Sequence, residues 1–297
     1  MPVAKINGFN THYDTIGNGV PIVFIHGGYG GASSSVYTRD LIDWADPLTD
    51  RYSVISYDRR SSGKSEYPQV DYTLDDLSKD LESLLDHLNI DKAFVLGSSA
   101  GGPVALTYAL NHQDRLYGLV LANTSSRMWM HEARIQAREK IRNRMKILNE
   151  LGPVDAYQWI EQEQRGPGKI VMAPGGPGPR PPDRAGAMIE RAKLVQSLIS
   201  KLDERTKIKY VVGELRNQYA YIDSDLTDRL DEIEIPTLVI HGDADGQVPY
   251  YLGKELSDLI RNSELVTVGG AGHGVMNWAG SVEALKSFCD RLKPLQQ

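Results

Sequence analysis

The sequence predicts an α/β protein: a mostly parallel central sheet with helices on both faces and a helical segment inserted after the sixth strand. Three observations carry this. Short apolar runs alternate with helix-like segments at both ends of the 297-residue chain. Runs such as Val20–Ile25 are continuously apolar, as expected of strands covered on both faces. From about Ser126 to about Asp225 the alternation stops and the texture turns charged and helical. The chain therefore divides into a first core part, residues 1–125, an inserted helical cap, 126–225, and a second core part, 226–297.

In order, Ala4–Ile16 alternates loosely and holds Asn7-Gly8, a hairpin signal, so two antiparallel strands are expected. Val20–Ile25 is the next strand and runs into His26-Gly27-Gly28-Tyr29-Gly30-Gly31. A helix is expected within Tyr37–Thr49 and a strand at Tyr52–Tyr57. Leu74, Leu77, Leu81, Leu84, Leu85 and Leu88 keep a helical period, with Thr73 and Asp76 as an approximate cap. The strand Ala93–Leu96, a helix ending near His112 and the strand Leu116–Ala122 complete the first part. In the insertion, Arg127–Leu151 and Ala185–Leu202 read as helix. Gly166–Arg184 is too rich in Gly and Pro for helix or ladder and reads as loop. The second part runs strand Thr237–His241, helix Tyr251–Ile260, strand Glu264–Val268 and helix Ser281–Leu292.

Composition removes several function classes. Net charge is −6 and no dense basic run appears, so nucleic acid is not an expected partner. No apolar stretch reaches membrane-spanning length, and the first residues lack the apolar core of a signal peptide; no membrane association and a cytoplasmic location are expected. Cys289 is the single cysteine, so no intrachain disulfide can form. There is no Cys/His cluster of zinc spacing and no H-E-x-x-H, and the glycines at 27–31 lack a dinucleotide frame and a Walker lysine. Neither metal nor cofactor is expected.

The chemistry is concentrated at strand ends. Gly97-Ser98-Ser99-Ala100-Gly101 is a G-x-S-x-G pattern between an apolar strand and a helix that tolerates Pro103 in its first turn. Strand and helix nearly touch in such a turn, so the residues two before and two after the nucleophile must be small. Gly97 and Gly101 meet that rule around Ser99; Leu96 breaks it around Ser98. Acyl transfer by a serine also needs a base, a carboxylate to orient it and N–H donors for the oxyanion. Later strand ends supply Asp243 or Asp245, then His273, and the Ala100 N–H opens the helix after the serine.

Taken together these motifs resemble the α/β-hydrolase superfamily, in the branch with a lid after the sixth strand that includes esterases and proline iminopeptidases. His26-Gly27-Gly28 is similar to the family's oxyanion-loop H-G-x. Asp58-Arg59-Arg60-Ser61-Ser62-Gly63-Lys64-Ser65 is similar to D-x-R-G-x-G-x-S, with Ser61 where glycine is usual. Gly242 through Pro249 is similar to the acid loop G-x-x-D-x-x-V-P, and Gly272-His273 to the histidine loop. The resemblance implies Ser99 as nucleophile, His273 as base and, by spacing to Val248-Pro249, Asp245 as acid rather than Asp243. Some relatives place the acid after the sixth strand; Asn123 stands there and carries no charge. The resemblance also implies oxyanion donors at Ala100 and Gly28, with Tyr29 as the alternative to Gly28; such donors are typically worth about 3 kcal/mol each.

Other residues have plainer readings. Asp58 and Arg60 brace their turn, His26 fixes its loop and His241 packs. His12, His87, His112 and His131 read as surface or capping residues, and the basic run Arg134–Lys146 as a solvated helix face. Met276, Asn277 and Trp278 read equally as pocket lining or packing. Trp129, Tyr157, Trp159, Tyr219 and Tyr221 read as cap core ahead of substrate wall. The expected function is a serine hydrolase acting with water on a small or medium carboxylic ester through an acyl-enzyme. Amidase or aminopeptidase, lactonase and C–C hydrolase are alternatives on the same fold, and a non-catalytic ligand receptor is the alternative from another class. Dehalogenases and epoxide hydrolases are disfavoured because their families carry Asp where Ser99 stands. The elbow's Ser98 and Ala100 depart from the bulky aromatic of proline iminopeptidases.

Overall fold

A single sheet of eight strands forms the centre, in the order β1-β2-β4-β3-β5-β6-β7-β8. The computed structural model describes residues 2–30, 43–165 and 200–292, with Gly186, Lys193 and Ser197 between them. The strands are β1 (Val3–Ile6), β2 (Phe9–Ile16), β3 (Val20–Ile25), β4 (Tyr52–Tyr57), β5 (Ala93–Ser98), β6 (Leu116–Ala122), β7 (Thr237–Gly242) and β8 (Ser263–Val268). β1–β2 and β2–β4 pair antiparallel, and all other pairs are parallel. The expected hairpin is there: Asn7 and Gly8 both take positive φ, 47° and 89°, and join Ile6 to Phe9 in a tight turn.

Alternate strand residues feed two cores. Val23, Ile25, Ile55, Val95, Leu119 and Val239 face one side. Helices α1 (Leu74–His87), α2 (Gly101–Asn111) and α6 (Tyr250–Leu259) cover that side. Ile22, Phe24, Val54, Phe94, Leu96, Val120 and Ile240 face the other, under α7 (Ala279–Leu292) and Trp44 and Leu48. The period-two alternation, hidden inside runs that are apolar throughout, is what makes both faces dry. Thr73 and Asp76 form a reciprocal capping box at the start of α1.

The helix expected within Tyr37–Thr49 falls partly outside the described residues; from Asp43 to Leu48 the chain is a 3-10 turn that includes Pro47, which has no N–H to continue a helix. Between β6 and β7 come α3 (Ile135–Leu151), α4 (Pro153–Arg165) and α5 (Glu204–Ala220), packed on one another through Ile141, Met145, Leu148, Ile160, Val212 and Leu215. The loop Gly166–Arg184 and most of the helix expected over Ala185–Leu202 lie outside the described residues. No helix among the described residues is long and apolar enough to cross a membrane.

Two expectations need correction. The basic run of α3 is more than a solvated face: Arg144 is buried and gives two hydrogen bonds to Glu163 of α4, and Arg138 and Arg142 converge on Asp223 beyond α5. Long arginine stems let the charges reach across the bundle while their methylenes pack. His12 and His131 are buried rather than on the surface: β2 lies inside the sheet, with His12 Nδ1 3.4 Å from Asp58 Oδ2, and the His131 side chain makes no capping hydrogen bond.

Glu214 on α5 gives the bundle a pH dependence. Burial pushes its carboxyl up to about 7 from 4.5, against the pull of Arg144 and a 3.1 Å hydrogen bond from Gln218. A raised acid favours the folded state while protonated, so this contribution is present below pH 4.5 and lost as pH rises through 7. Glu214→Gln should therefore melt higher than wild type at pH 8, by on the order of 1 kcal/mol, and match it near pH 4.5. Thermal melts across that range check this; an equal difference at both ends would refute it.

Candidate active site

All six parallel strands deliver their carboxyl ends to one rim of the sheet, and β4 and β5 flank β3 on opposite sides. The chain leaves β3 and β5 in opposite directions, which opens a crevice above them. The elbow at the end of β5 lies in that crevice.

Ser99 holds φ at 50°, left-handed backbone that a non-glycine residue adopts at a cost of about 1 kcal/mol or more. Tight packing keeps it there. A Cβ on Gly101 would lie 2.1 Å from the Ile25 carbonyl oxygen, and one on Gly102 2.0 Å from Thr124 Oγ1. A Cβ on Gly97 would lie 2.6 Å from the Gly101 carbonyl oxygen. The small residues expected around Ser99 are thus required on both sides. Thr124 Oγ1 donates to the Ser99 carbonyl at 2.6 Å, and the Gly102 N–H donates to the same oxygen at 2.9 Å.

His273 joins the serine to an acid. Its Nε2 is 2.9 Å from Ser99 Oγ and its Nδ1 is 2.9 Å from Asp245 Oδ2. A carboxylate only accepts, so Nδ1 carries the hydrogen and Nε2 is left to accept from the serine hydroxyl. Asp245 is buried, and its Oδ1 accepts from the Gln247 and Val248 N–H groups at 2.7 and 3.0 Å. Asp243, the runner-up for the acid, instead accepts from the Gly270 N–H at 2.7 Å and holds that turn.

The H-G-G loop after β3 lies against the serine: a Cβ on Gly27 would come within 2.9 Å of Ser99 Cβ. A trans peptide points its N–H opposite its C=O, so fixing the carbonyl aims the donor. The Gly27 carbonyl is held by His26 Nδ1 at 2.7 Å, which aims the Gly28 N–H. The Ser99 carbonyl, held as above, aims the Ala100 N–H. Neither donor makes a hydrogen bond to another described residue. His26 is neutral near pH 7, because burial and the neighbouring Arg59 push its ring down to about 4.

Other expected residues fall into place as braces. Asp58 accepts from the Lys64 N–H at 2.9 Å, and Arg60 meets both oxygens of Asp80 at 2.6 Å between the rings of Phe9 and Tyr72. Met276 is buried and Trp278 partly buried in the second core, so both pack. Trp129 and Tyr221 are fully buried, Trp129 4.9 Å and Tyr221 5.4 Å from the ring of Tyr29. Among the described residues no cluster of His, Cys, Asp and Glu has the form of a metal site.

Comparison with known proteins agrees with this fold. Residues 20–165 match the family model described as alpha/beta hydrolase fold, and residues 220–289 match that of TAP-like proteins. The "Putative carbamate hydrolase RutD" of Caulobacter segnis is 30% identical, covering 86% of this chain and 85% of that protein. The chain belongs to the α/β-hydrolase superfamily. The "Probable proline iminopeptidase" of Leptolyngbya boryana is 27% identical over 98% of this chain and 92% of its own. MGS-M2, an alpha/beta hydrolase enzyme from a Medee basin deep-sea metagenome library, shares the fold with a TM-score of 0.71 at 19% identity, over 100% of both chains.

Several side chains shape this α/β-hydrolase site without a sequence signature of their own. Asn123, at φ 44° after β6, donates to the Gly272 carbonyl and accepts from the Gly242 N–H, both at 3.0 Å. It ties the loop after β7, which holds Asp245, to the loop that holds His273. His241 donates from Nε2 to the Val248 carbonyl at 3.0 Å and lies 3.6 Å from Asp245 Oδ2. Arg59 and Tyr221 bond to each other, Arg59 to the Gly28 carbonyl of the H-G-G loop and Tyr221 to the Ala100 carbonyl of the elbow. The one available signal was position: each stands at or just beyond a strand end, or on the helix packed over it.

Asn123→Ala would leave a buried N–H and a buried C=O without partners. The variant should lose about 2 kcal/mol or more in urea unfolding, because each orphaned buried group costs its desolvation. Wild-type stability would show that the two loops hold without the bridge.

Proposed function

We propose that the protein is a serine hydrolase that cleaves a carboxylic ester through an acyl-enzyme, with Ser99, His273 and Asp245 as its triad and helices α3–α5 as a cap over the site. The reading rests on one observation: His273 hydrogen-bonds Ser99 Oγ and Asp245 Oδ2 at 2.9 Å each.

On this reading Ser99 Oγ attacks the ester carbonyl carbon and its proton passes to His273 Nε2. Asp245 keeps the ring in the tautomer that can accept, and stabilises the imidazolium that forms. The tetrahedral oxyanion takes hydrogen bonds from the Ala100 and Gly28 N–H groups. Collapse breaks the C–O bond, and Nε2–H protonates the departing alkoxide. Water, its proton taken by the same nitrogen, then attacks the acyl-serine; collapse breaks the acyl–Oγ bond, His273 returns the proton to Ser99 Oγ and the acid is released.

Carbamate and amide cleavage form the second reading, favoured by the names of the two relatives above. Both reactions use the same triad and differ only in the leaving group and the pocket around it.

Ser99→Ala should lower turnover of p-nitrophenyl esters by at least roughly 10⁴-fold, and Asp245→Asn by a similar factor through the wrong tautomer. A fluorophosphonate should form a covalent adduct on Ser99, located by peptide mass spectrometry. A panel of esters, a lactone, a carbamate and an aminoacyl amide ranks the substrate classes. Undiminished hydrolysis by Ser99→Ala would sink the proposal, and no adduct with no turnover would favour a ligand receptor.

A further inference from the structure

The proposed acyl-transfer steps give the buried Arg59 no task. Arg59, the residue after Asp58 at the end of β4, is 1% exposed. Its Nη2 donates to the Gly28 carbonyl and its Nη1 to the Tyr221 hydroxyl. Tyr221 caps the C-terminus of α5, and its own hydroxyl hydrogen goes to the Ala100 carbonyl at 2.8 Å. The two residues that carry the proposed oxyanion donors are therefore joined by a single hydrogen-bonded path through Arg59 and Tyr221.

The next residue shows that this is not an ordinary brace. Arg60 is also buried, but Asp80 neutralises it with two hydrogen bonds. No carboxylate lies within ion-pair distance of Arg59 among the described residues, and its Nε has no partner there. A guanidinium stays charged and is costly to bury unpaired. A cation with no ion-pair partner among the described residues, directly behind the proposed oxyanion loop, is placed where negative charge develops in the transition state, in a medium that screens it poorly.

We propose that Arg59 and Tyr221 are positioning residues of the oxyanion hole, which orient its two halves together and make its geometry depend on the seating of helix α5. Arg59 fixes the Gly28–Tyr29 peptide plane. That constrains the Gly28 N–H on one side and points the Tyr29 N–H directly away from the guanidinium, so the clamp serves whichever of the two donates. Tyr221 also presses its ring edge-on against Tyr29 at 5.4 Å. A substrate that seats the cap thereby tightens the hole, and one that lifts it loosens the hole. The inference rests on the acyl-enzyme reading.

Steady-state kinetics on the best ester of the panel test it, with melts run alongside. Tyr221→Phe removes one oxygen and keeps the ring; kcat should fall roughly tenfold, with KM within about twofold and little change in Tm. Arg59→Met should lose roughly 100-fold in kcat, the scale of one lost or misplaced oxyanion donor. Arg59→Lys, which keeps the charge but not the fork, should fall between them. Fluorophosphonate labelling of Ser99 should slow in the same order. Wild-type kcat in folded Tyr221→Phe and Arg59→Lys would overturn the inference, as would losses confined to KM or running parallel to Tm. Those two variants carry the test if Arg59→Met does not fold. Failure of the underlying reading looks different, since Ser99→Ala would then stay active.

Discussion

The close approach of strand β5 to helix α2 is the constraint on which the site depends. Ser99 takes left-handed backbone, at φ 50°, because the chain must reverse within a residue or two between strand and helix. No side chain fits on the inner positions: Gly101 lies on the Ile25 carbonyl and Gly102 on Thr124. The same crowding brings the ends of β3 and β6 against the elbow. The neighbours that forbid larger residues, Ile25 and Thr124, belong to the segments that continue into the oxyanion loop and the Asn123 bridge. Strain at one residue is therefore held by contacts from three strands. Such strain persists only where the surroundings over-determine it.

Around that point the site is built by fixing carbonyls. Four successive constraints have the same form: His26 on Gly27, Thr124 on Ser99, Arg59 on Gly28 and Tyr221 on Ala100. Each satisfies an acceptor, and each leaves an N–H facing the other way without a competing partner among the described residues. The acid follows the same logic with signs reversed. Backbone N–H groups saturate Asp245 Oδ1, so only Oδ2 remains for His273. A carboxylate so held cannot rotate to present a different oxygen, and that keeps the ring plane aligned with Ser99.

The fold was legible in the sequence, and so were the groups proposed to react, because each is carried by a local pattern. The apolar runs gave strands within a residue or two, Asn7-Gly8 gave the hairpin, and the small neighbours of Ser99 separated it from Ser98. His273 stood out because its loop combines Gly with a basic residue at a strand end, whereas only the family resemblance, through the spacing to Val248-Pro249, separated Asp245 from Asp243. Asn123, His241 and Tyr221 did not stand out, since a lone polar residue beside an apolar run looks the same whether it bridges two loops or faces water. Arg59 was hidden for a further reason. Two adjacent arginines in one turn have the same sequence environment, and only the position of Asp80, twenty residues after Arg60, tells them apart. The solvated reading of Arg138, Arg142 and Arg144 failed likewise, because their partners Asp223 and Glu163 come from other segments.

The departure at Ser61 shows how helix α5 is tied to this frame. Glycine is usual there in related turns, and Ser61 holds φ at 57°, so the backbone still takes the glycine conformation at the cost of a side chain. The space for that side chain comes from α5. A Cβ on Gly213 would lie 3.0 Å from Ser61 Cβ and 2.5 Å from the ring of Tyr67, so a larger residue fits on only one side of the contact. One turn later Asn217 donates to the Arg60 carbonyl at 3.0 Å, and a turn after that Tyr221 meets Arg59. The stripe Gly213, Asn217, Tyr221 runs down one face of α5 at helical spacing. It docks on consecutive residues of the turn, from Ser61 back to Arg59. The helix therefore has one register on the core, and moving it would break the Asn217 bonds, the Tyr221 bridge and the fit at Gly213 together. On the proposed reading, specificity in the cap and geometry in the oxyanion hole are for that reason not separable: a change that shifts α5 to suit a different substrate also shifts the groups that hold Gly28 and Ala100.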